Sequence, residues 1–262
     1  MKARPWPYPR VLAHRGGGAL APENTLAAIR TGYAHGFRAV EFDAMLPSDE
    51  TPVLMHDPTL TRTARVEGKV TDWSAARLQR LDVGSWHSAE FAGEPVPTLA
   101  DALAFCREHG VWPNVEIKPA PGRDGPTGAA VARETARAYA DVLVPGSDPS
   151  AGVDPRLPLL SSFSPEALQA AREAVPELPR GWLVDQVPRR WHVEIEALGC
   201  VSLHADQQFL SPELARSVKA SGVWLFCYTV NEPQRARELL GWGVDAFCTD
   251  RIDLISADFA AG

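Results

Sequence analysis

The chain has 262 residues, enough for one domain of α/β-barrel size or two small ones. Apolar residues make up 45% of it, sufficient for a full core, and its formal net charge is −7. A mildly acidic chain without a lysine- or arginine-rich run lacks the electrostatic footprint of a nucleic-acid binder and is repelled by an anionic membrane surface. A local cationic pocket for a phosphate-bearing small molecule remains compatible with that balance.

The opening residues MKARPWPYPR carry three prolines and lack the apolar core of a signal peptide. No stretch approaches 18 apolar residues, so no membrane insertion is expected. The four cysteines, at 106, 200, 227 and 248, form no C-x-x-C pair and read as free, mostly buried thiols in a reducing compartment. A cytoplasmic protein is the expectation.

In chain order, VLAH (11–14) reads as the first strand, and its end runs into His14, Arg15 and the glycines 16–18. A helical pattern follows over 23–36, with Pro22 ahead of it and Gly36 as its stop. AVEFDAML (39–46) is the second strand. PVLMH (52–56) is joined to it only by PSDE and Thr51, whereas a parallel crossover needs about a dozen residues or more. PVLMH is therefore expected to run antiparallel, folding back over the mouth of the sheet and carrying His56. Residues 57–97 have little barrel patterning and read as an insertion capping the active-site end.

A helix over 98–110 opens with Thr98 and Asp101 spaced as a capping box. NVEIK (114–118) is the next strand, and PAPGRDGPTG (119–128) and VPGSDPSAGVDPRLP (144–158) read as loops. The remaining strands are PLLSSF (158–163), GWLV (181–184), CVSLH (200–204), VWLFCYTV (223–230) and DAFCTD (245–250), with helices over 164–175, 211–222 and 231–243. Strand–helix units repeating in this way predict a parallel α/β sheet, and their number favours closure into a (β/α)8 TIM barrel. The expected organisation is one domain over 1–262, with the insertion 57–97 capping the C-terminal mouth.

Chemistry in such a barrel sits where strands end. Glu41 and Asp43 are two residues apart on a strand and point to one face. Two bare carboxylates side by side repel, and a divalent cation removes the conflict. Glu116 could supply a third oxygen from a neighbouring strand, and an all-carboxylate site suits Mg²⁺ or Ca²⁺. The alternative is pairing of these acids with Arg15, Arg38 or Lys118. Lys118 shares a face with Glu116, and with Arg15 it could bind the non-bridging oxygens of a phosphate. His14 and His56, both at strand ends, suit the base and acid that phosphodiester cleavage needs, each worth ~10²–10⁴ in rate. His35, His87, His109 and His192 read as structural, and His204 can be read either way. Phe163 and Tyr228, at strand ends, could wall an alcohol pocket or belong to plain barrel core.

The ordered set of segments resembles the glycerophosphodiester phosphodiesterase family. It comprises AHRGGGALAPENTLAAI (13–29), VEFDAMLPSDETPVLMHDPTLTRT (40–63), PTLADAL (97–103), VEIKP (115–119), SF (162–163), YTVN (228–231) and GVDAFCTDRID (243–253). The resemblance implies a barrel with a small insertion after the second histidine and Glu41, Asp43 and Glu116 as metal ligands. It implies His14 and His56 as acid–base residues, and Arg15 and Lys118 on the phosphate. Ser164 departs from the acidic residue frequent after Ser-Phe in the family, and it reads as a helix cap.

The function this predicts is metal-dependent hydrolysis of a small glycerophosphodiester to sn-glycerol 3-phosphate and an alcohol such as choline or ethanolamine. His56 is expected as acid and His14 as base. A phospholipase-D-like enzyme on lysolipids and a non-catalytic barrel holding a phosphorylated metabolite are the rival readings.

Overall fold

The computed structural model describes residues 5–261; residues 1–4 of the proline-rich opening and residue 262 lie outside the described residues. Each apolar run read as a strand forms one. The first half contains β1 (Val11–Ala13), α1 (Leu26–Ala34), β2 (Ala39–Met45), β3 (Val53–Leu54), α2 (Thr61–Ala64), α3 (Ala75–Leu78) and α4 (Leu99–His109). β4 (Trp112–Ile117), α5 (Asp124–Ala138), β5 (Leu159–Ser162), α6 (Pro165–Ala174) and β6 (Arg180–Val184) follow. The chain ends with α7 (Trp191–Leu198), β7 (Ser202–Asp206), α8 (Pro212–Ala220), β8 (Trp224–Tyr228), α9 (Pro233–Gly241) and β9 (Ala246–Thr249).

Eight of the strands are parallel neighbours in the order β1, β2, β4, β5, β6, β7, β8, β9, and β9 pairs back to β1 through Val11 and Phe247. The sheet is thus closed, and the fold is a (β/α)8 TIM barrel. β3 lies outside the ring. It runs antiparallel to β2, with Ala44 opposite Leu54 and Met45 opposite Val53, as its short link to β2 requires.

Alternation along the strands divides the core in two. One set of side chains (Val40, Phe42, Val115, Leu160, Leu203, Leu225, Phe247) meets the helices, where Ile29, Leu103, Val131, Leu168 and Leu239 face them. The other set fills the lumen with Leu12, Ala39, Trp112, Leu159, Trp224, Phe226, Ala246 and Cys248. Tyr8 stacks on Trp112 at 3.9 Å between ring centres, and Trp6 stands edge-on to Trp224 at 5.4 Å. These two N-terminal rings close the lumen at the end where the strands begin. The acidic residues of the lumen, Glu41, Asp43 and Glu116, lie toward the other end.

The segment after β3 has a small core of its own, built from Met45, Val53, Met55, Leu60, Val70, Leu78, Val83 and Val96. Glu94 ties it to the barrel by accepting from the Ala27 N–H in the first turn of α1 and from Arg30. A carboxylate at a helix N-terminus satisfies a donor that has no partner within the helix.

Four helices were not anticipated: the short α2 and α3 within 57–97, and α5 and α7 of the barrel. α5 begins at Asp124, so only 119–123 of the expected loop 119–128 is loop. Pro126 falls in the first turn, where its missing N–H removes no helical bond, and Gly128 lets α5 approach α6 closely. α7 is short and stops at Gly199, which is left-handed at φ 62°. The capping box of Thr98 and Asp101 and the Ser164 cap form as expected. All four cysteines are free and buried. Among the described residues no helix is long and apolar enough to cross a membrane.

Candidate active site

Glu41 and Asp43 point into the top of the lumen from β2, and the β2–β4 register sets Glu116 directly beside Asp43. All three are buried, at 4%, 1% and 9% exposure. An oxygen from each lies within 4.8 Å of the other two. Burial, followed by the charge of Asp43, pushes Glu41 up to about 7 and Glu116 up to about 8. Burial acts on Asp43 too, but Lys118, Arg15 and His56 together with a hydrogen bond from Asn24 outweigh it, and Asp43 is held below the usual carboxylate range. Glu41 Oε1 is buried with no hydrogen-bond partner among the described residues. A buried, unpaired carboxylate oxygen inside an all-oxygen cluster suits a hard divalent cation, so the donor set fits one.

The two cations stand beside these acids. Lys118 Nζ donates to Glu116 Oε1 at 2.9 Å and lies 3.5 Å from Asp43. Arg15 Nε lies 3.6 Å from Asp43, Arg15 Nη1 donates to Glu23 at 2.9 Å, and the Arg15 backbone N–H donates to Glu41. Arg15 occupies the left-handed region at φ 51°, a conformation costing a non-glycine residue about 1–2 kcal/mol. That turn aims both its N–H and its side chain at the acids. The pairing of Arg15 and Lys118 with acids, weighed above as an alternative to a metal site, is therefore present alongside the cluster. Arg38 takes no part and donates to the Tyr33 and Phe37 carbonyls.

Both histidines carry carboxylate partners. His14, at the end of β1, shares its Nδ1 with Asp250 at 2.5 Å and places Nε2 3.7 Å from Glu41. Burial would lower its pKa, but Asp250 and Glu41 more than offset that, so the pKa of His14 is raised. His56, just beyond β3, shares its Nδ1 with Asp57 at 2.7 Å. Its pKa is lowered, first by burial and then by the charges of Arg15 and Lys118.

Phe163, 40% exposed, stands edge-on to Tyr228 at 5.7 Å, and Lys118 Nζ lies 5.8 Å from its ring centre. Phe163 is exposed at the mouth, whereas Tyr228 also packs against the lumen core that holds Trp224 and Phe226. His204 is also core: fully buried, paired with Ser202, stacked on Phe226 and pushed by burial down to about 3. The glycines 16–18 serve the protein's own backbone. A Cβ on Gly18 would sit 2.2 Å from the Asp250 carbonyl oxygen, at a left-handed φ of 55°.

Sequence reasoning missed the residues that hold the site. Asn24 spans Asp43, donating from Nδ2 to Oδ2 and accepting the Asp43 N–H at Oδ1. Asn231 holds Asp250 by the same two-point contact. Glu23 and Arg62 link Arg15 to Asp57. Asn24 and Glu23 lie within the helical pattern at 23–36, and only their polarity at its start could have marked them.

The sequence profile of the Glycerophosphoryl diester phosphodiesterase family matches residues 14–254. A glycerophosphodiester phosphodiesterase of Caldanaerobacter subterraneus is 29% identical over 92% of this chain and 93% of its own length. One from Bacillus subtilis is 28% identical over 93% of this chain and 84% of its own. An Oleispira antarctica phosphodiesterase solved with the product sn-glycerol-3-phosphate superposes with a TM-score of 0.81 at 34% identity, covering 92% of this chain and 93% of that one. The chain belongs to the glycerophosphoryl diester phosphodiesterase family.

Proposed function

We propose that this chain, as one catalytic domain capped by 57–97, hydrolyses small glycerophosphodiesters to sn-glycerol 3-phosphate and a free alcohol. In this reading it depends on a divalent cation, Mg²⁺ or Ca²⁺, held by Glu41, Asp43 and Glu116. The observation that carries the reading is the convergence of three buried carboxylates between two carboxylate-paired histidines and two cations. A cation bound there supplies electrostatic stabilisation of the phosphoryl oxygens and acidifies a nearby hydroxyl.

The chain's own residues do the rest. Arg15 and Lys118 hold the non-bridging oxygens. His14 takes the proton from the attacking hydroxyl, supplied by water or by the substrate's glycerol 2-hydroxyl; in the second case a cyclic phosphate forms, and water then opens it to sn-glycerol 3-phosphate. His56 is the more exposed of the two rings and delivers a proton to the departing alkoxide as the phosphorus–oxygen bond to the alcohol breaks; with the His14 pKa raised and that of His56 lowered, the pair works in this direction from its minor protonation state. Phe163 and Tyr228 wall the alcohol side. The Oleispira antarctica protein's complex with sn-glycerol-3-phosphate supports this choice of product.

Assay of choline release from glycerophosphocholine with Mg²⁺, Ca²⁺ or EDTA tests the reading. Full activity in EDTA sinks the cation, and unchanged activity in His14→Ala or His56→Ala sinks the acid–base pair. One observation favours the lysolipid alternative. Phe163, Phe209 and Leu254 are exposed on loops that follow β5, β7 and β9, at the site's end of the barrel. A panel of deacylated and mono-acylated substrates separates the two, and the water-soluble diester is the expected preference.

A further inference from the structure

We propose that Arg62, an arginine of the capping segment, is a positioning residue that places both His56 and Arg15 through one guanidinium; the proposal rests on the reading of the site just given. Arg62 Nη1 and Nη2 grip the two oxygens of Glu23 at 2.6 and 2.7 Å, while Nε donates to Asp57 Oδ2 at 2.6 Å. The far oxygen of Asp57 meets His56 Nδ1 at 2.7 Å. Glu23 Oε1 also accepts from Arg15 Nη1 at 2.9 Å. Two lines of contact therefore leave Arg62, one ending on a site histidine and the other on a site cation.

The geometry differs from an ordinary surface ion pair, which is worth little because two mobile side chains must be ordered for one contact. Here the fork is satisfied at three oxygens, and its Glu23 partner is only 13% exposed. Arg62 rises from α2, whose flanking Leu60 and Thr63 are buried, so its backbone is fixed in the core of the cap. The Trp86 ring, also from the cap, lies 5.8 Å from its guanidinium carbon. Three donors spread across a planar fork can reach Glu23 and Asp57 together, whereas the point charge of a lysine reaches one or the other. Seating of the cap and placement of His56 and Arg15 thus become a single event.

The test uses the full chain with Arg62→Ala, Arg62→Lys, Asp57→Asn and the double variant Arg62→Ala/Asp57→Asn. Two readouts are taken: kcat and KM on glycerophosphocholine with Mg²⁺, and the downfield proton resonance of the His56 Nδ1–H donated to Asp57. Arg62→Ala is expected to lower kcat roughly 10–100-fold with a smaller change in KM, the scale on which residues orienting site groups act. Arg62→Lys recovers little of that loss. The double variant loses about as much as the worse single one, since both act along one line. The His56 resonance broadens or vanishes in Arg62→Ala. Activity within twofold of wild type with the resonance intact overturns the proposal, as do losses that add in the double variant. Should Arg62→Ala fail to fold, Arg62→Lys and Asp57→Asn carry the same readouts. A wild-type protein that releases no choline defeats the functional reading instead, and the resonance still decides the clamp.

Discussion

His14 and Asp250 meet across the seam where the barrel closes. Ala13 and Thr249 are register partners in β1 and β9, so the next residue on each strand projects from the rim beside the other. Their side chains join at 2.5 Å, and Asn231 fixes Asp250 from behind through its backbone N–H and its second oxygen. Closure of the sheet and orientation of a histidine are therefore achieved by the same strand pair.

Asp250→Asn should leave the fold intact and lower kcat roughly 10–100-fold, because the His14 ring loses the acceptor that fixes it. The pH dependence has a definite sign. Asp250 contributes to raising the pKa of His14 above that of His56, so the alkaline break of the rate profile follows His14 and removal of Asp250 moves it to lower pH. For metal-free protein, the raised His14 pKa gives stability that is complete below 6.5 and is lost as pH rises through the folded value. The lowered Asp250 pKa gives stability that is complete above 3.8 and is lost only at lower pH. The melting-temperature gap between wild type and variant should be wider at pH 6 than at pH 9, and an equal gap at both refutes the pairing.

Cation binding should strengthen with pH. Glu41 and Glu116 are held up to about 7 and about 8, so below 4.5 they impose no charge penalty on the fold. As pH rises they ionise first in the unfolded chain, and metal-free protein should lose stability until both ionise in the folded state. A bound cation offsets that loss, and the gain at a hundredfold excess over Kd is about 2.7 kcal/mol. Melting with EDTA or with saturating MgCl₂ or CaCl₂ should show a larger stabilisation at pH 8 than at pH 6, absent in Asp43→Asn. No stabilisation by either salt at pH 8 would remove the cation from the mechanism.

The strand ends were legible because a charge in an apolar strand stands out, and a period of two assigns it to a face. Glu41, Asp43, His14 and Lys118 could be found that way. The side chains that orient them could not, since Asp250 becomes the neighbour of His14 only when β9 meets β1. Glu23 and Arg62 lie 39 residues apart, and no periodicity connects a loop to an insertion. α5 was hidden for a different reason. Gly125 and Pro126 look like loop residues, and only their place in the first helical turn makes them tolerable.

Asn24 offers a test of how tightly the carboxylate cluster is built. It is 3% exposed, left-handed at φ 57°, and bonded twice to Asp43. Asn24→Ala strands the buried Asp43 N–H and places a Cβ residue in a conformation asparagine tolerates better. A loss of about 1–3 kcal/mol in urea unfolding is expected. Weaker Mg²⁺ binding by calorimetry should accompany it, since Asp43 Oδ2 is freed to turn. Unchanged stability would mean that the two hydrogen bonds contribute nothing net.

The division of labour between the histidines can be read from the leaving group. An alkoxide needs a proton as it departs, whereas a nitrophenolate is stable enough to leave without one. If His56 protonates the alcohol, His56→Ala should cost roughly 10²–10⁴-fold on glycerophosphocholine but far less on a p-nitrophenyl diester of glycerol phosphate. His14→Ala should cost about the same on both, because the attacking hydroxyl must be deprotonated in either case. The lowered His56 pKa makes the protonated fraction of this acid small at neutral pH, so the rate on the choline diester should fall on the alkaline side of the profile, above the raised pKa of His14. That decline should be missing with the nitrophenyl substrate. If His14→Ala instead shows the leaving-group sensitivity, the two roles are reversed while both side chains remain in the mechanism.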